Sequence, residues 1–348
     1  MLSKNDELLD SWLGEFKSKS TRRVYRAGVR DYAKKLNIDD LQKYVKDSPN
    51  VTEDIRRYLT LLEGKPSKTV STYVGAVKVF LQDKGVKVPD EAWKKIKRRG
   101  FMPKRIRATT RDKKPTKAQL KRILNYVDVK GKALILFLVS SGGRVGETLR
   151  LKIEDFDFEA DPPRVHIRGE ITKGGVGERT AYFSYEARDA LKDWLAIKDS
   201  MHKRDGSTYK DDRVFPFVLS TANDLFNRAC DKAGIGTRDK RTERRVIHLH
   251  SLRKFFRTKI GLDLDMTHAL MGHAEYLDQS YLRQEQGEIA EAYLEAMPNV
   301  SVYGGQGPEI KSLEEENQQL KDRLSSLEAE FKVLKGLIVE SLNGNRQG

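Results

Sequence analysis

The chain has one cysteine, Cys230, among 348 residues, and this near absence excludes several kinds of site. One cysteine cannot form an intrachain disulfide or build a four-thiolate zinc or iron–sulfur site, so a reducing intracellular setting is expected. Long apolar segments are also lacking, because the longest run, residues 133–139, is far shorter than the ~20 residues that cross a bilayer. The start, MLSKNDELLD, has no apolar signal core. We therefore expect a soluble, cytoplasmic protein with no membrane partner.

The sequence also lacks Asp and Glu clusters with two-metal spacing and any nucleotide-binding fingerprint, so neither a metal nor a cofactor is expected. What it has in excess is positive charge, with 66 Lys and Arg against 51 Asp and Glu, a formal charge of +15. A chain this basic, with enough apolar residues to fold, is typical of proteins that bind a polyanion. Its length of 348 residues favours about two domains.

The positive charge is concentrated in residues 94–122, where fourteen of 29 residues are Lys or Arg and the sole acid is Asp112. Pro103 and Pro115 interrupt this stretch and few of its residues are apolar. We therefore interpret residues 93–115 as an inter-domain linker that contacts phosphate, a solvated loop being the alternative. The predicted phosphate contacts are Lys97, Arg98, Arg99, Lys104 and Arg105.

Residues 1–92 predict a small, all-helical domain. In SKTVSTYVGAVKVFL, after a Ser67 cap, apolar residues recur at helical spacing, and TRRVYRAGVRDYAKKL after Ser20 has one broad apolar side. Arginines about one turn apart form a stripe that either faces a DNA backbone or is a solvated outer face. The stripe consists of Arg22, Arg23, Arg26 and Arg30, the first three being predicted phosphate contacts.

Residues 116–303 predict a second domain. Thr116 and Gln119 form a capping-box signature for a helix, which the apolar segment ALILFLVSS follows. PRVHIRGEITKGGVGERTAYFS alternates apolar and polar residues on both sides of a Gly-rich turn, which predicts a β-hairpin. Helical patterns return in YEARDALKDWLAI and STANDLFNRACDKAG. The expected fold class is mainly α with a small β-hairpin or sheet, which makes the second domain α+β.

The tail, after a flexible segment at 304–308, predicts a leucine-zipper coiled coil over residues 309–342. Leucines at successive d positions and one asparagine at an a position favour a parallel dimer in a fixed register. The three flanking g-to-e′ charge pairs would all be attractive. A lone amphipathic helix docked on its own second domain is the alternative. The predicted dimerisation residues are Ile310, Leu313, Asn317, Leu320, Leu324, Leu327, Phe331 and Leu334.

Three short strings, far apart in the sequence, carry the candidate chemistry: SSGGRVGETLRL with Arg144 and Glu147, HLHSLRKFFRT with His250 and Arg253, and LMGHAEYLDQSYLR with His273 and Tyr281. They resemble the Gly-x-Arg-x-x-Glu, His-x-x-Arg and Gly-His…Tyr boxes of the tyrosine recombinase (phage integrase) family. The ending particularly resembles integrases of archaeal and bacterial mobile elements. The resemblance covers residues 1–300, since the N-terminal helices look like the family's core-binding domain. Two departures are a glycine before Arg144 and a His-to-Tyr gap of eight residues rather than nine.

The resemblance implies a site-specific DNA recombinase that forms a 3′-phosphotyrosine and integrates and excises a mobile element. Its partners would be double-stranded DNA at specific attachment sites and copies of itself, as a zipper dimer and a tetramer in the synapse, and it would be found on the nucleoid. The alternatives are Xer-like dimer resolution, type IB topoisomerase-like relaxation and a non-catalytic zipper-type regulator. The regulator needs a basic helix running into the coil, but residues 284–308 contain no Lys or Arg.

The chemistry of phosphoryl transfer indicates a role for each box. Guanidinium forks match the non-bridging oxygens of a phosphodiester better than ammonium groups, so Arg144 and Arg253 are the predicted clamp. Glu147 lies one helical turn from Arg144 and would orient an arginine or a histidine. A phenol attacks only where positive charge stabilises the phenolate or a base takes its proton. Tyr281 is the predicted nucleophile, and its competitors are Tyr276, Tyr293 and Tyr303.

Proton transfer completes the predicted mechanism, because the leaving 5′-oxygen needs a proton. The resemblance assigns this role to Lys173 on the hairpin, with Lys152 or Arg179 as alternatives. It also implies that His250 assists proton transfer at the phosphate and that His273 donates a hydrogen bond to a non-bridging oxygen. The alternative for both histidines is a satisfied place in the core.

Overall fold

The structure is a computed structural model that describes residues 4–47, 50–87, 89–102, 112–172, 175, 177–202, 206–240, 242–272, 286–304 and 323. The chain divides into two compact units, Met1–Arg111 and Asp112–Gly348. The predicted fold class is confirmed, because the described residues are mainly helical with one small antiparallel sheet. In that part of the chain no helix has the length and apolar character needed to cross a membrane.

The described part of the first unit is built from helices alone. Helix α2 packs against α1, α4 and α5, and its buried face includes Val29 and Tyr32. The sequence places both helix starts slightly too late: the Ser18 side chain, not Ser20, caps α2, and Pro66 precedes α5. The six helices are α1 (Lys4–Gly14), α2 (Lys19–Leu36), α3 (Leu41–Lys46), α4 (Val51–Leu61), α5 (Ser67–Asp83) and α6 (Asp90–Arg98).

Helix α6 extends into the stretch that the sequence predicts as a linker. Trp93 and Ile96 are buried in the core of the first unit, because their spacing of three puts both on one face of the helix. Residues 93–98 therefore belong to the helical unit, and this moves the start of the predicted linker towards the C-terminus. Residues 103–111 lie outside the described part of the chain. Three predicted phosphate contacts are exposed at the end of α6: Lys97, Arg98 and Arg99.

The second unit combines helices with a sheet in the order β1-β2-β3. The predicted hairpin corresponds to β2 and β3, which pair antiparallel with Arg164 opposite Tyr182 and Ile167 opposite Arg179. The two-residue strand β1 adds to β2, and it is too short to leave a periodic pattern. The elements are α7 (Lys117–Leu124), α8 (Val129–Ser141), α9 (Val145–Thr148), β1 (Phe156–Asp157), β2 (Arg164–Ile167), β3 (Arg179–Tyr182), α10 (Tyr185–Lys198), α11 (Leu219–Lys232), α12 (Ser251–Lys259), α13 (Leu264–Met271) and α14 (Gln286–Val300).

Helix α8 forms the centre of this unit. Its residues 133–139 are all apolar, and residues 133–141 are buried because α10, α12, α14 and β3 surround them. The predicted capping box stands at the start of α7, where the Thr116 and Gln119 side chains each accept a hydrogen bond from the other residue's backbone N–H. The end of α8 carries the first of the three motifs into the core.

Gly142 ends α8 in a left-handed conformation, with φ of +62°. A Cβ atom at this position would overlap the ring of Phe256 on α12. The absence of a side chain therefore lets the end of α8 lie directly against α12. This contact brings the Gly-rich string that contains Arg144 next to the string that contains Arg253.

Replacing Gly142 with Ala should lower the free energy of unfolding by about 1–3 kcal/mol, because the left-handed backbone and the Phe256 overlap both penalise a methyl group. Urea denaturation measures this loss. Gly146→Ala is the matched control, since a Cβ at Gly146 meets nothing within 4 Å, and it should leave stability almost unchanged. Equal stability of the two variants would contradict the packing described for Gly142.

Candidate active site

Three arginines converge on the C-terminal end of α13. The last carbonyl groups of a helix have no partner within the helix and form the negative end of its dipole, so guanidinium groups are favourable there. Consecutive carbonyl oxygens each accept a hydrogen bond from a different arginine. The bonds run from Arg179 Nε to Leu270 O (2.9 Å), from Arg253 Nη2 to Met271 O (2.7 Å) and from Arg144 Nη2 to Gly272 O (3.2 Å).

Glu147 is the carboxylate that binds two of these arginines. Its Oε1 accepts a hydrogen bond from Arg144 Nη1 (2.7 Å), and its Oε2 accepts one from Arg179 Nη2 (2.9 Å). Burial alone would raise the pKa of Glu147, but the charges and hydrogen bonds of the two arginines outweigh burial and hold that pKa below its ordinary value. Glu147 is therefore ionised and fixes the guanidinium of Arg144. We call Arg144, Arg179, Arg253 and Glu147 the arginine cluster.

Arg253 is the member of the cluster with the least compensation for its charge. It is buried, and its Nη1 donates to Gly142 O at 2.6 Å. Burial and the charges of Arg144 and Arg179 lower the pKa of Arg253 to about 9, which leaves it protonated at neutral pH. Within the cluster, three guanidinium groups face one carboxylate. This excess of positive charge, with Arg179 and Arg253 buried, favours an anionic ligand.

His250 immediately precedes α12 and reaches solvent beside the cluster. The surrounding protein nevertheless removes part of its hydration, and this lowers the pKa of His250 together with the charges of Arg253, His248 and Lys254, while Asp112 opposes the shift. The imidazole is therefore biased towards its neutral form. A neutral imidazole can accept or relay a proton near neutral pH.

The structure describes two of the three candidates for the proton donor, Arg179 and Lys152. Lys173 lies outside the described residues. Arg179, one alternative, is buried and donates hydrogen bonds to two backbone carbonyls and to Glu147. These contacts give Arg179 a structural role. Lys152, the other alternative, pairs with carboxylates of Glu154 (3.3 Å) and Asp212 (3.0 Å). Both alternatives to Lys173 are thus bound by other groups.

The tyrosines separate in a similar way. Tyr281 and Tyr276 lie outside the described part of the chain, as does His273, which follows Gly272 directly in sequence. Tyr293 on α14 is fully buried and donates a hydrogen bond to Ser140 O at 2.8 Å, and burial raises its pKa well above the ordinary value. Burial also raises the pKa of Tyr303. Both shifts disfavour the phenolate that a nucleophile needs.

The arginine stripe of the first unit bonds partly within that unit. Arg22 Nε donates to Phe16 O at 2.6 Å, and Arg26 and Arg30 form ion pairs with carboxylates of α1. These contacts give the stripe a role in holding α1 on α2. Arg23 is exposed. The remaining predicted contacts, Lys104 and Arg105, and the zipper residues from Ile310 to Leu334 lie outside the described residues.

Arg179 is the member of the cluster that the sequence boxes do not indicate as a partner of Glu147. Its one signal is its register on β3, where it shares a face with the buried Ala181. A charged residue in phase with core positions indicates a buried ion pair, but its partner cannot be identified from spacing. Among the described residues, no group of three His, Cys, Asp or Glu side chains could hold a metal ion.

Comparisons of the sequence with known proteins match it to phage integrases and tyrosine recombinases. Residues 114–284 match the sequence model of the Phage integrase family. The chain is 27% identical over 301 residues to Tyrosine recombinase XerA of Saccharolobus solfataricus, covering 81% of this chain and 88% of the relative. It is 26% identical to Tyrosine recombinase XerC of Corynebacterium glutamicum, covering 84% and 90%.

Solved structures support the fold. A lambda integrase tetramer bound to a Holliday junction has a TM-score of 0.54 at 15% identity, covering 79% of this chain and 78% of that one. The Tn1549 transposon integrase in complex with transposon right end DNA has a TM-score of 0.52 at 16% identity, covering 83% and 100%. At these identities, the likeness concerns the fold alone.

Replacing Glu147 with Gln should destabilise the second unit by about 3 kcal/mol or more at neutral pH, because buried guanidinium charge loses its counter-charge. The lowered pKa of Glu147 means that its stabilisation is complete above the ordinary value of 4.5 and is lost as pH falls through the folded-state value. The difference between wild type and variant should therefore shrink in acid, as measured by urea denaturation at several pH values. Glu154→Gln, at an exposed carboxylate, is the control. A difference that stays constant with pH would refute this account of Glu147.

Proposed function

This chain belongs to the tyrosine recombinase (phage integrase) family, and we propose that it is a site-specific recombinase that breaks and rejoins DNA strands through Tyr281. The observation that carries the proposal is the net positive charge of the arginine cluster, in which three guanidinium groups face one carboxylate. Arg144 and Arg253 come from strings far apart in sequence, and both hold the end of α13. An arrangement of this kind suits a phosphodiester, whose charge must be offset as the phosphorane forms.

The cluster keeps donors for a phosphate. A guanidinium has five N–H groups. Arg253 uses two nitrogens for Gly142 and Met271, each with a second proton, and its Nε–H adds a further donor. About one third of the Arg144 side chain is exposed. The two arginines thus combine a fixed position with unused hydrogen-bonding capacity, which is what an oxyanion clamp requires.

The proposed reaction is balanced without a cofactor. Tyr281 Oη gives up its proton to His250 and attacks the scissile phosphorus, the bond from phosphorus to the 5′-oxygen breaks, and Lys173 supplies the proton that this oxygen takes up. His250 assists proton transfer at the phosphate, and His273 donates a hydrogen bond to a non-bridging oxygen. The phosphotyrosine keeps the energy of the broken bond, so attack by the 5′-hydroxyl of a second strand reseals DNA without ATP.

The proposed biological use is integration and excision of a mobile element. Xer-like resolution of chromosome or plasmid dimers is the second candidate, and the relatives named XerA and XerC favour it. In either case the enzyme would work on the nucleoid of the cytoplasm. Domain boundaries at a helical core-binding unit, a basic linker, a catalytic unit and a zipper fit both uses.

The proposed DNA contacts are sequence-independent. Cations at exposed positions or in the basic linker would bind the phosphate backbone, which makes the affinity for DNA fall steeply with salt. Arg22 and Arg26 would need to share their protein partners with DNA, because both already bond within the first unit. The other proposed contacts are Arg23, Lys97, Arg98, Arg99, Lys104 and Arg105.

Tyr281→Phe should abolish covalent protein–DNA adducts on a nicked suicide substrate and leave DNA affinity unchanged, because it removes the nucleophile and no charge. Denaturing electrophoresis detects the adduct, and a filter-binding assay gives the affinity. Tyr303→Phe is the matched control and should keep full adduct yield. Adducts that persist in Tyr281→Phe would assign the nucleophile elsewhere, and relaxation of supercoils without recombinants at any site would favour a topoisomerase.

Removal of residues 309–348 should impair dimerisation and recombination between two sites more than cleavage at one site, since the zipper is proposed to join two copies. Sedimentation measures the oligomeric state, and recombination of two-site plasmids measures synapsis. Replacing Leu320 and Leu327 with Glu in the full chain tests the same contacts without truncation. If both proteins recombine as fast as wild type, the zipper has no essential role.

A further inference from the structure

The sole acid in the most basic stretch of the chain binds the segment that carries two site residues. Asp112 Oδ2 accepts a hydrogen bond from Lys254 Nζ at 2.7 Å, and it lies 3.4 Å from His248 Nε2. Burial would raise the pKa of Asp112, but the bonds and charges of Lys254 and His248 outweigh burial and lower that pKa. Asp112 is therefore ionised beside two basic groups of the His-x-x-Arg region.

The neighbours of Asp112 bind the same segment. The backbone N–H of Lys113 donates to Val246 O at 2.9 Å, and Lys114 Nζ donates to Thr258 Oγ1 at 3.0 Å. Residues 112–114 thus lie along residues 246–258. The chain enters the second unit directly against the element that carries His250 and Arg253.

The ring of His248 is held from both sides. Its Nε2 faces Asp112, and its Nδ1 lies 2.9 Å from Ser251 Oγ. The backbone N–H of His248 also donates to Ser251 Oγ at 3.0 Å, which closes a turn over residues 248–251. His250 lies inside this turn, and Ser251 is the buried first residue of α12. The contacts that hold His248 therefore also hold the backbone of the turn that contains His250.

We propose that Asp112 is a positioning residue for strand transfer, which holds the turn over residues 248–251 so that His250 and Arg253 meet the scissile phosphate together. This inference rests on the proposed function, because it assigns Asp112 a role in that reaction. Asp112 touches neither His250 nor the phosphate in this role, and it acts through His248 and Lys254. Most of the basic stretch would bind DNA, whereas its one acid would bind the enzyme's own catalytic segment.

Charge balance gives the same residue a second effect on the site. The guanidinium of Arg253, the ring of His248 and the ammonium of Lys254 lower the pKa of His250, and the carboxylate of Asp112 opposes them. Removing the carboxylate leaves the positive groups uncompensated. The pKa of His250 should then fall further below its ordinary value, which favours the neutral ring.

The test uses the full-length protein, a nicked suicide substrate and Asp112→Asn, which removes the charge with little change of shape. At saturating DNA the cleavage rate should fall about tenfold, the scale expected when a catalytic group is slightly misplaced. DNA affinity should not weaken, since one negative charge is lost. The control is Asp189→Asn, which removes an exposed carboxylate paired with Arg188 on α10 and should leave the cleavage rate unchanged.

The pH profile separates positioning from general stability. The limb of the rate profile that depends on His250 should move to lower pH in Asp112→Asn and stay in place in Asp189→Asn. Asp112→Glu keeps the charge and should restore most of the rate and the wild-type profile. The double variant Asp112→Asn with His248→Gln should lose less rate than the product of the two single losses predicts, because the two residues share one contact.

Two results would overturn the inference. The first is an unchanged cleavage rate in Asp112→Asn at saturating DNA. The second is a slower enzyme with an unmoved pH profile and no rescue by Asp112→Glu, which would indicate a structural role only. Failure of the proposed function is distinguishable, because wild-type protein would then form no adduct at Tyr281.

Discussion

The second unit depends on how the end of α13 satisfies its carbonyl groups. A helix terminus leaves acceptors without partners inside the helix, and side chains, water or ligands must provide their hydrogen bonds. Here Leu270, Met271 and Gly272 instead bind arginines from β3, α12 and the α8–α9 turn. Three elements that are remote in sequence are thereby held at one point. The glycine that ends the helix is part of this arrangement, because a Cβ at Gly272 would overlap the Arg179 guanidinium.

The sequence predicts much of the fold because its strongest patterns are local. The capping box of α7, the apolar α8, the β2–β3 hairpin and the helices α10 and α11 each depend on residues close in sequence. Composition predicts a linker over most of helix α6, because the charged residues of this helix outnumber its two buried residues, Trp93 and Ile96. Strand β1 has only two residues, which is too short for an alternation of apolar and polar residues, and it forms because it pairs with β2.

The candidate site likewise contains residues that local sequence spacing indicates and contacts that form only when distant segments pack together. Residue types and box spacing indicate Arg144, Glu147, His250 and Arg253, and the structure brings these four into one region of the second unit. Sequence spacing cannot indicate that Arg179 shares the Glu147 carboxylate, because that contact forms only when β3 packs beside α13. The same holds for Asp112, whose partners lie more than a hundred residues away. Lys173, His273 and Tyr281 remain proposals from the sequence.

The helix-end anchors are main-chain atoms, and this has a consequence for how the protein can change. A carbonyl oxygen is present whatever side chain its residue carries. Substitution of Leu270 or Met271 by another apolar residue therefore leaves the acceptors of Arg179 and Arg253 in place. Side chains around the arginines can therefore change during evolution while the main-chain hydrogen bonds that hold the guanidinium groups are retained.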